Sequence, residues 1–334
     1  MKDADQSGRA IGPASGRVRR ILVRLIQDVI GPSTTGTGYA QDLVANLDQW
    51  GEPDLGIPTI SRLPLLSCEA SAGDARQAIP VMAAWEALRL AAKLFDDVED
   101  NEASTPTEDV NVATGLLFVT QLALGELAVQ GEESHLVLRL SRALDRAVLR
   151  ACAGQHSDLV SRGRPMNIDP ETWLEIAHAK SGELLGWAAW AGALVAGASE
   201  HDLACYHQFG SHLGVLLQVA DDFNGIWYPE ESSDLAAGHP SLPICYAFSV
   251  TQAREREHLK SLFEQTIQGD EMAKVRLRQM LTDVGAQVYL LTVARVQHQQ
   301  AAAALGNASC LPSAGRQLTA LLDQVMPAVN CAGG

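Results

Sequence analysis

Between Asp74 and Asp100 the apolar residues Met82, Trp85, Leu88 and Ala92 recur every three or four positions, and no other stretch constrains the fold as tightly. Pro80 near its start and the polar run DNEASTP at its end bound one long helix. Such a helix must bury its apolar face against other elements, and the rest of the chain offers helices. Helical patterning covers about Val18 to Trp50, Glu108 to Gln130, Ser134 to Arg162, Pro170 to Ala198 and His201 to Ile226. It resumes at about Leu242 to Phe248, Gln252 to Thr266, Glu271 to Ala303 and Ser313 to Val325. A Gly/Pro-rich segment from Gly51 to Pro64 and a loop from Trp227 to Pro240 interrupt the series, without strand alternation or internal repeat. Alanine and leucine dominate a 47% hydrophobic share in which aromatics are only 5%, a balance that favours helix over strand. The expectation is an all-α fold with a single helical domain over residues 18–328, after a polar, disordered tail over residues 1–17.

Charge narrows the possible partners. A formal net charge of -15, from 40 acidic and 25 basic residues, repels a phosphate backbone and argues against nucleic acid. No Lys or Arg occurs between Lys93 and Arg139, nor between Lys180 and Arg254. Cys68, Cys152, Cys205, Cys245, Cys310 and Cys331 are scattered and form no CxxC pair, the pattern of reduced thiols in a cytoplasmic protein. The run Leu184 to Ser199 is uncharged but shorter than the roughly 18 to 20 residues a spanning helix needs, so a buried central helix and no transmembrane segment are expected. His201, His207 and His212 match no metal-binding spacing and read as core or surface residues.

Two aspartate pairs carry the chemistry. Asp96 and Asp100 are four apart near the end of the long helix, so they project from one face and repel each other. With no base in the stretch that follows, a metal ion is the expected counter-charge. Asp221 and Asp222 close a second apolar run, LGVLLQVADD. Carboxylates from two such helices, facing each other, would form an oxygen-rich cage of the kind Mg2+ takes together with water and substrate phosphate.

These segments resemble the trans-isoprenyl diphosphate synthases, the polyprenyl synthetases. The sequence LLSCEASAGDARQAIPVMAAWEALRLAAKLFDDVED is similar to that family's approach to its first DDxxD, and GQHSDL from Gly154 to its mid-chain GQxxDL. KSGELLGWAAWAGALVAG from Lys180 resembles the KTGxL helix, LGVLLQVADDFNG the second aspartate motif, and Ser233-Asp234-Leu235 with Leu242-Pro243 the SDL and LP pair. Five matches in the right order cover roughly Ser61 to Ala247. The resemblance implies a class I isoprenoid synthase bundle around a central cavity, a homodimer, and an allylic prenyl diphosphate ionised with Mg2+. By the same resemblance Asp96, Asp100 and Asp221 ligate the metal and Lys180 holds the diphosphate. Gln155, Gln218, Asp97 and Asp222 then stand close to the substrate.

Departures from the family pattern shape the expected reaction. Gly56-Ile-Pro-Thr-Ile-Ser61 stands where GGKRxRP supplies bases for isopentenyl diphosphate, and Thr105-Pro106 replaces the paired arginines after the first motif. The lysine before SDL is absent, the next is replaced near His239, and Gly225 replaces the third aspartate of the second motif. Two diphosphates without those cations would repel each other, so the expected acceptor is not isopentenyl diphosphate. The prenyl cation is then captured by another nucleophile, such as an indole in the tryptophan prenyltransferases the pattern also resembles, or it cyclises or loses a proton as in terpene synthases. Ordinary chain elongation and a non-catalytic subunit of a prenyl diphosphate synthase are the alternatives. Small Ala91 and Ala92, with Ala87 a turn back and Trp85 as floor, suit a tail of about fifteen to twenty carbons. Trp187 and Trp190 read as core, with a cation-stabilising role as the alternative.

Overall fold

In the computed structural model, which describes residues 12–31, 36–50, 59–228 and 238–327, every regular element among the described residues is helical. The helices are α1 (Gly12–Ile30), α2 (Thr37–Trp50), α3 (Leu63–Ala70), α4 (Ile79–Glu99), α5 (Pro106–Val129), α6 (Ser134–Ser161) and α7 (Pro170–Ala177). They continue as α8 (Glu183–Val195), α9 (Glu200–Trp227), α10 (Leu242–Val250), α11 (Ala253–Ile267), α12 (Glu271–Asp283), α13 (Ala286–Asn307) and α14 (Pro312–Val325). Two compact units result, one of Met1–Arg146, Trp187–His207 and Leu305–Leu321, the other of Ala147–Gly186, Gln208–Ala304 and Leu322–Gly334. Both are assembled from discontinuous segments, so no stretch of sequence marks their boundary.

In the first unit α4 packs along α5, with α1 against both. Ala83, Ala84, Ala87 and Ala91 of α4 are fully buried, as are Leu116, Ala123 and Leu124 of α5, so small residues let the two helices lie close. Leu22 and Ile26 bury the inner face of α1, each contributing roughly 1.5–3 kcal/mol. The start of α4 is set by Asp74, whose carboxylate accepts from the Arg76 amide while the Gln77 side chain accepts from the Asp74 amide, at 2.9 and 3.0 Å. The Cys68 thiol is pushed up to about 12, chiefly by burial, which keeps it an unreactive core group.

In the second unit α10 to α12 and the start of α13 enclose a core of Ile244, Phe248, Leu259, Phe263, Leu277 and Ala286. Trp227 from the end of α9 donates from its indole to the Thr282 hydroxyl at 3.1 Å.

Most expected helices are present, but the region from Val18 to Trp50 is two helices, α1 and α2, the helix expected from Asp74 opens with a 3-10 turn (Ala75–Ala78), and further differences follow. Residues 12–17, expected in the tail, form the first turns of α1, because Ala14 and Val18 continue its buried stripe; residues 1–11 lie outside the described residues. A 3-10 turn (Ile60–Arg62) and α3 lie partly in the segment read as Gly/Pro-rich, where Pro64 occupies a first-turn position that tolerates it. The expected helix from Pro170 is α7 and α8 joined by a π turn over His178–Gly182. The expected helix from Glu271 breaks into α12 and α13 at Gly285, whose φ of 83° is one that only glycine adopts at low cost. Asp221 and Asp222 do not close α9, since buried Phe223 and Ile226 carry it on to Trp227.

One described helix, α5, is long and apolar enough to span a bilayer by length and composition, but 44% of its apolar window is buried within the protein. Among the described residues Cys68, Cys152, Cys205, Cys245 and Cys310 are free thiols; Cys331 and Ser233-Asp234-Leu235 lie outside the described residues.

Ser199 caps α9, exchanging hydrogen bonds with Asp202, whose other oxygen accepts from the Ser309 amide at 2.7 Å. These bonds hold the Asp202 carboxyl below the usual range, the Ser309 amide first, against the opposing effect of burial. Its contribution is complete above the ordinary carboxylate pKa of about 4 and lost as pH falls through the lower folded-state value. Asp202→Ala should therefore cost roughly 1–3 kcal/mol at neutral pH. In urea titrations across the acid range, the gap to the parent chain should close below about pH 4.

Candidate active site

The first carboxylate cluster ends α4. Asn101, with φ 61°, turns the chain out of the helix, and the amides of Glu102 and Ala103 both bond the Asp97 carbonyl. Asp96, Asp97, Glu99 and Asp100 are thus gathered, half-buried, on the last turn, where the helix dipole already places negative potential. Lys93, one turn back, pairs with Asp97. Asp96 continues the stripe of Trp85, Leu88 and Ala92, and the two alanines separate: Ala92 is exposed on that stripe, whereas Ala91 is fully buried on the neighbouring face. The indole of Trp85 is fixed by donation to the Ile60 carbonyl at 2.9 Å, about 16 Å down the helix from Asp96.

The second cluster, in the other unit, is built on the π turn. Lys180 lies within it, and its ammonium stands 3.9 Å from the Asp158 carboxylate of α6. Backbone approach is close on both sides. A Cβ on Gly154 would lie 2.8 Å from the Lys180 amide nitrogen, and one on Gly214 of α9 would lie 2.6 Å from the Ser181 carbonyl oxygen. The stripe of α9 that begins with Gly210 and Gly214 reaches Gln218 and then Asp221, which is exposed. The Asp222 carboxylate turns elsewhere and accepts from the Leu242 amide at 2.5 Å, capping α10. Beneath it the Cys245 thiol is raised, first by burial and then by Asp222 and Asp158, so those two negative charges bear on one spot.

Sequence reasoning missed three supports of this cluster. Asp158 belongs to the GQHSDL segment, where Gln155 alone was singled out. His178 Nε2 and the buried Ser211 hydroxyl are 2.8 Å apart and tie the π turn to α9. Arg150 grips Glu183 at 2.9 and 3.1 Å where α8 begins. The first is visible in the motif; the other two pairs are 33 residues apart and carry no local signal.

Among the described residues no group of three or more His, Cys, Asp or Glu could hold a metal by protein ligands alone, which does not suit zinc. Hard carboxylate oxygens on one or two residues, completed by water and phosphate oxygens, suit Mg2+, and the Asp96–Asp100 turn and Asp221 fit that description. Two arginines that precede the first aspartate motif lie against other carboxylates. Arg62 is buried and acts on Glu69, Arg89 pairs with Glu86 at 3.1 Å, and Thr105-Pro106 starts α5. Trp187 is buried and donates to the Leu140 carbonyl, and the Trp190 ring lies 5.5 Å from the Arg139 guanidinium.

The polyprenyl synthetase model matches residues 61–280, about two thirds of the sequence. The chain belongs to the polyprenyl synthetase family. A geranylgeranyl diphosphate synthase of Mycobacterium tuberculosis is 30% identical over 263 residues, 73% of each chain. A short chain isoprenyl diphosphate synthase of Methanothermobacter thermautotrophicus is 27% identical over 248 residues, 70% of this chain and 74% of that one. The crystal structure of a decaprenyl diphosphate synthase from Rhodobacter capsulatus has the same all-α fold, with a TM-score of 0.80 and 19% identity over 97% of this chain and 98% of that one. These relatives are isoprenyl diphosphate synthases by name, and this chain has Gly56-Ile-Pro-Thr-Ile-Ser61 before its first aspartate motif and Thr105-Pro106 after it.

The backbone approach at Gly214 gives a direct test. Gly214→Ala sets a methyl against rigid backbone and should cost about 1–3 kcal/mol. Gly125→Ala, in a helix interior with nothing within 4 Å, should be neutral or stabilising by about 0.5–1 kcal/mol. Urea midpoints of the two variants that fail to diverge would disprove the tight packing.

Proposed function

We propose that this family member is a Mg2+-dependent prenyltransferase that ionises an allylic prenyl diphosphate, with a tail of about fifteen to twenty carbons, and passes the prenyl group to an acceptor. The observation that carries this reading is Lys180, held in a π turn between Gly154 and Gly214, a distortion of the kind found at functional sites. Its ammonium binds the diphosphate and stabilises the charge that develops as the carbon–oxygen bond breaks. Asp96, Asp100 and Asp221 are the proposed metal ligands. Bound Mg2+ supplies further neutralisation of the leaving group. Gln155 and Gln218 orient the diphosphate, Asp97 steadies the first motif through Lys93, and Asp222 fixes α10 under the second. Ala92 leaves room for the tail above Trp85.

The missing bases favour an acceptor without its own diphosphate, such as an indole. Chain elongation with isopentenyl diphosphate is the second reading, favoured by the names of the two relatives. A cytoplasmic homodimer is part of the proposal: the described cysteines are free thiols, and exposed Phe118, Leu122 and Val129 form an apolar stripe on α5.

Diphosphate release from geranyl, farnesyl or geranylgeranyl diphosphate with Mg2+ tests both readings, with isopentenyl diphosphate or indole added separately. Release dependent on one acceptor identifies it, release with none indicates cyclisation or elimination, and no release under any condition defeats prenyl transfer. Asp96→Asn and Lys180→Ala should each lower turnover at least about 100-fold with helical circular dichroism intact. Full activity in either would remove that residue from the mechanism.

A further inference from the structure

Four arginines of the first unit line one pocket of about 410 Å³: Arg17, Arg20 and Arg24 from α1 and Arg76 from the 3-10 turn (Ala75–Ala78) before α4, with Ile21, Ile79 and Gln130. The spacing of the α1 arginines puts them on one exposed face. Two of the four have carboxylate partners. Arg76 holds Asp74 at 2.5 and 2.8 Å, and Arg24 pairs with Glu126. Among the described residues Arg17 and Arg20 have no ion pair; Arg17 acts on Asp74 only at longer range. Four guanidinium groups against two carboxylates leave a surplus of two positive charges, in a chain whose net charge is -15.

The pocket is separate from the carboxylates of α4. Ile79 opens that helix and Asp96 lies 17 residues on, about 26 Å along the axis. Repulsion among the arginines is aggravated by the N-terminal end of α4, whose dipole adds positive potential. An anion relieves both.

We propose that this pocket binds a phosphate- or diphosphate-bearing ligand. Guanidinium forks match the geometry of phosphate oxygens, and a surplus of two charges matches a dianion. Ile21 and Ile79 offer an apolar flank to the carbon part of a phosphate ester, and the volume is that of a small-ligand site. The phosphate group comes either from a free small molecule or from the headgroup of an anionic lipid.

The test uses the full chain in EDTA, which removes metal-assisted binding at the aspartates. Inorganic diphosphate is titrated by calorimetry into the parent chain, Arg17→Gln/Arg20→Gln and Lys180→Ala; separately, sedimentation with phosphatidylglycerol vesicles is measured. Both substituted arginines are exposed and unpaired, so the double variant should fold, which its circular dichroism checks. Diphosphate binding weakened at least tenfold in the arginine variant and kept in Lys180→Ala supports a free ligand. Vesicle binding lost in the arginine variant, without diphosphate binding, supports the lipid headgroup. Binding of neither, or binding indifferent to Arg17→Gln/Arg20→Gln, overturns the proposal.

Discussion

The position of Lys180, the proposed diphosphate ligand, depends on how closely three backbones approach in the second unit. At Gly154 and Gly214 any side chain would meet the main chain of the π turn. The turn is thereby clamped between α6 and α9 with the Lys180 ammonium near Asp158. Ser211 with His178 and Arg150 with Glu183 secure the two ends of the same turn. Side-chain order at Lys180 is paid for by packing of residues that carry no chemistry.

The legible parts of this arrangement are those written in contiguous sequence. Long amphipathic periods gave α4, α5, α6 and α9 to within a few residues, because burial of one face decides a long helix irrespective of its neighbours. Helix breaks were harder. Gly285 ends α12 with a left-handed conformation, yet apolar residues on both sides continue the same spacing, so the pattern ran across it. The π turn was hidden for a related reason: one extra residue in a turn shifts the phase by too little to stand out in an Ala/Leu-rich run.

For the candidate site, the motifs single out Asp96, Asp100 and Asp221 as proposed metal ligands and set Asp97 and Asp222 apart from them, but they do not give the contacts that Asp97 and Asp222 make. One of those contacts is distant in sequence and the other lies one helical turn away. Asp222 is drawn to the Leu242 amide twenty positions away, while Asp221 stays exposed, and Asp97 is drawn to Lys93 within its own helix. Ala91 and Ala92 differ likewise. Adjacent on α4, they are turned about 100° apart, and the packing around α4 decides which one is covered.

The same helix shows how charge was redistributed in this divergent chain. Each end of α4 carries the sign of charge that its dipole disfavours, carboxylates on the last turn and arginines around the first. Asp74 answers part of the surplus at the first turn by serving as both cap and partner of Arg76, and Lys93 answers part at the last. A bound cation relieves the carboxylate end and a bound anion the arginine end. The bases absent around the first aspartate motif are absent from one end of a helix whose opposite end lies among four arginines, so the two ends of α4 differ in the sign of the charge around them.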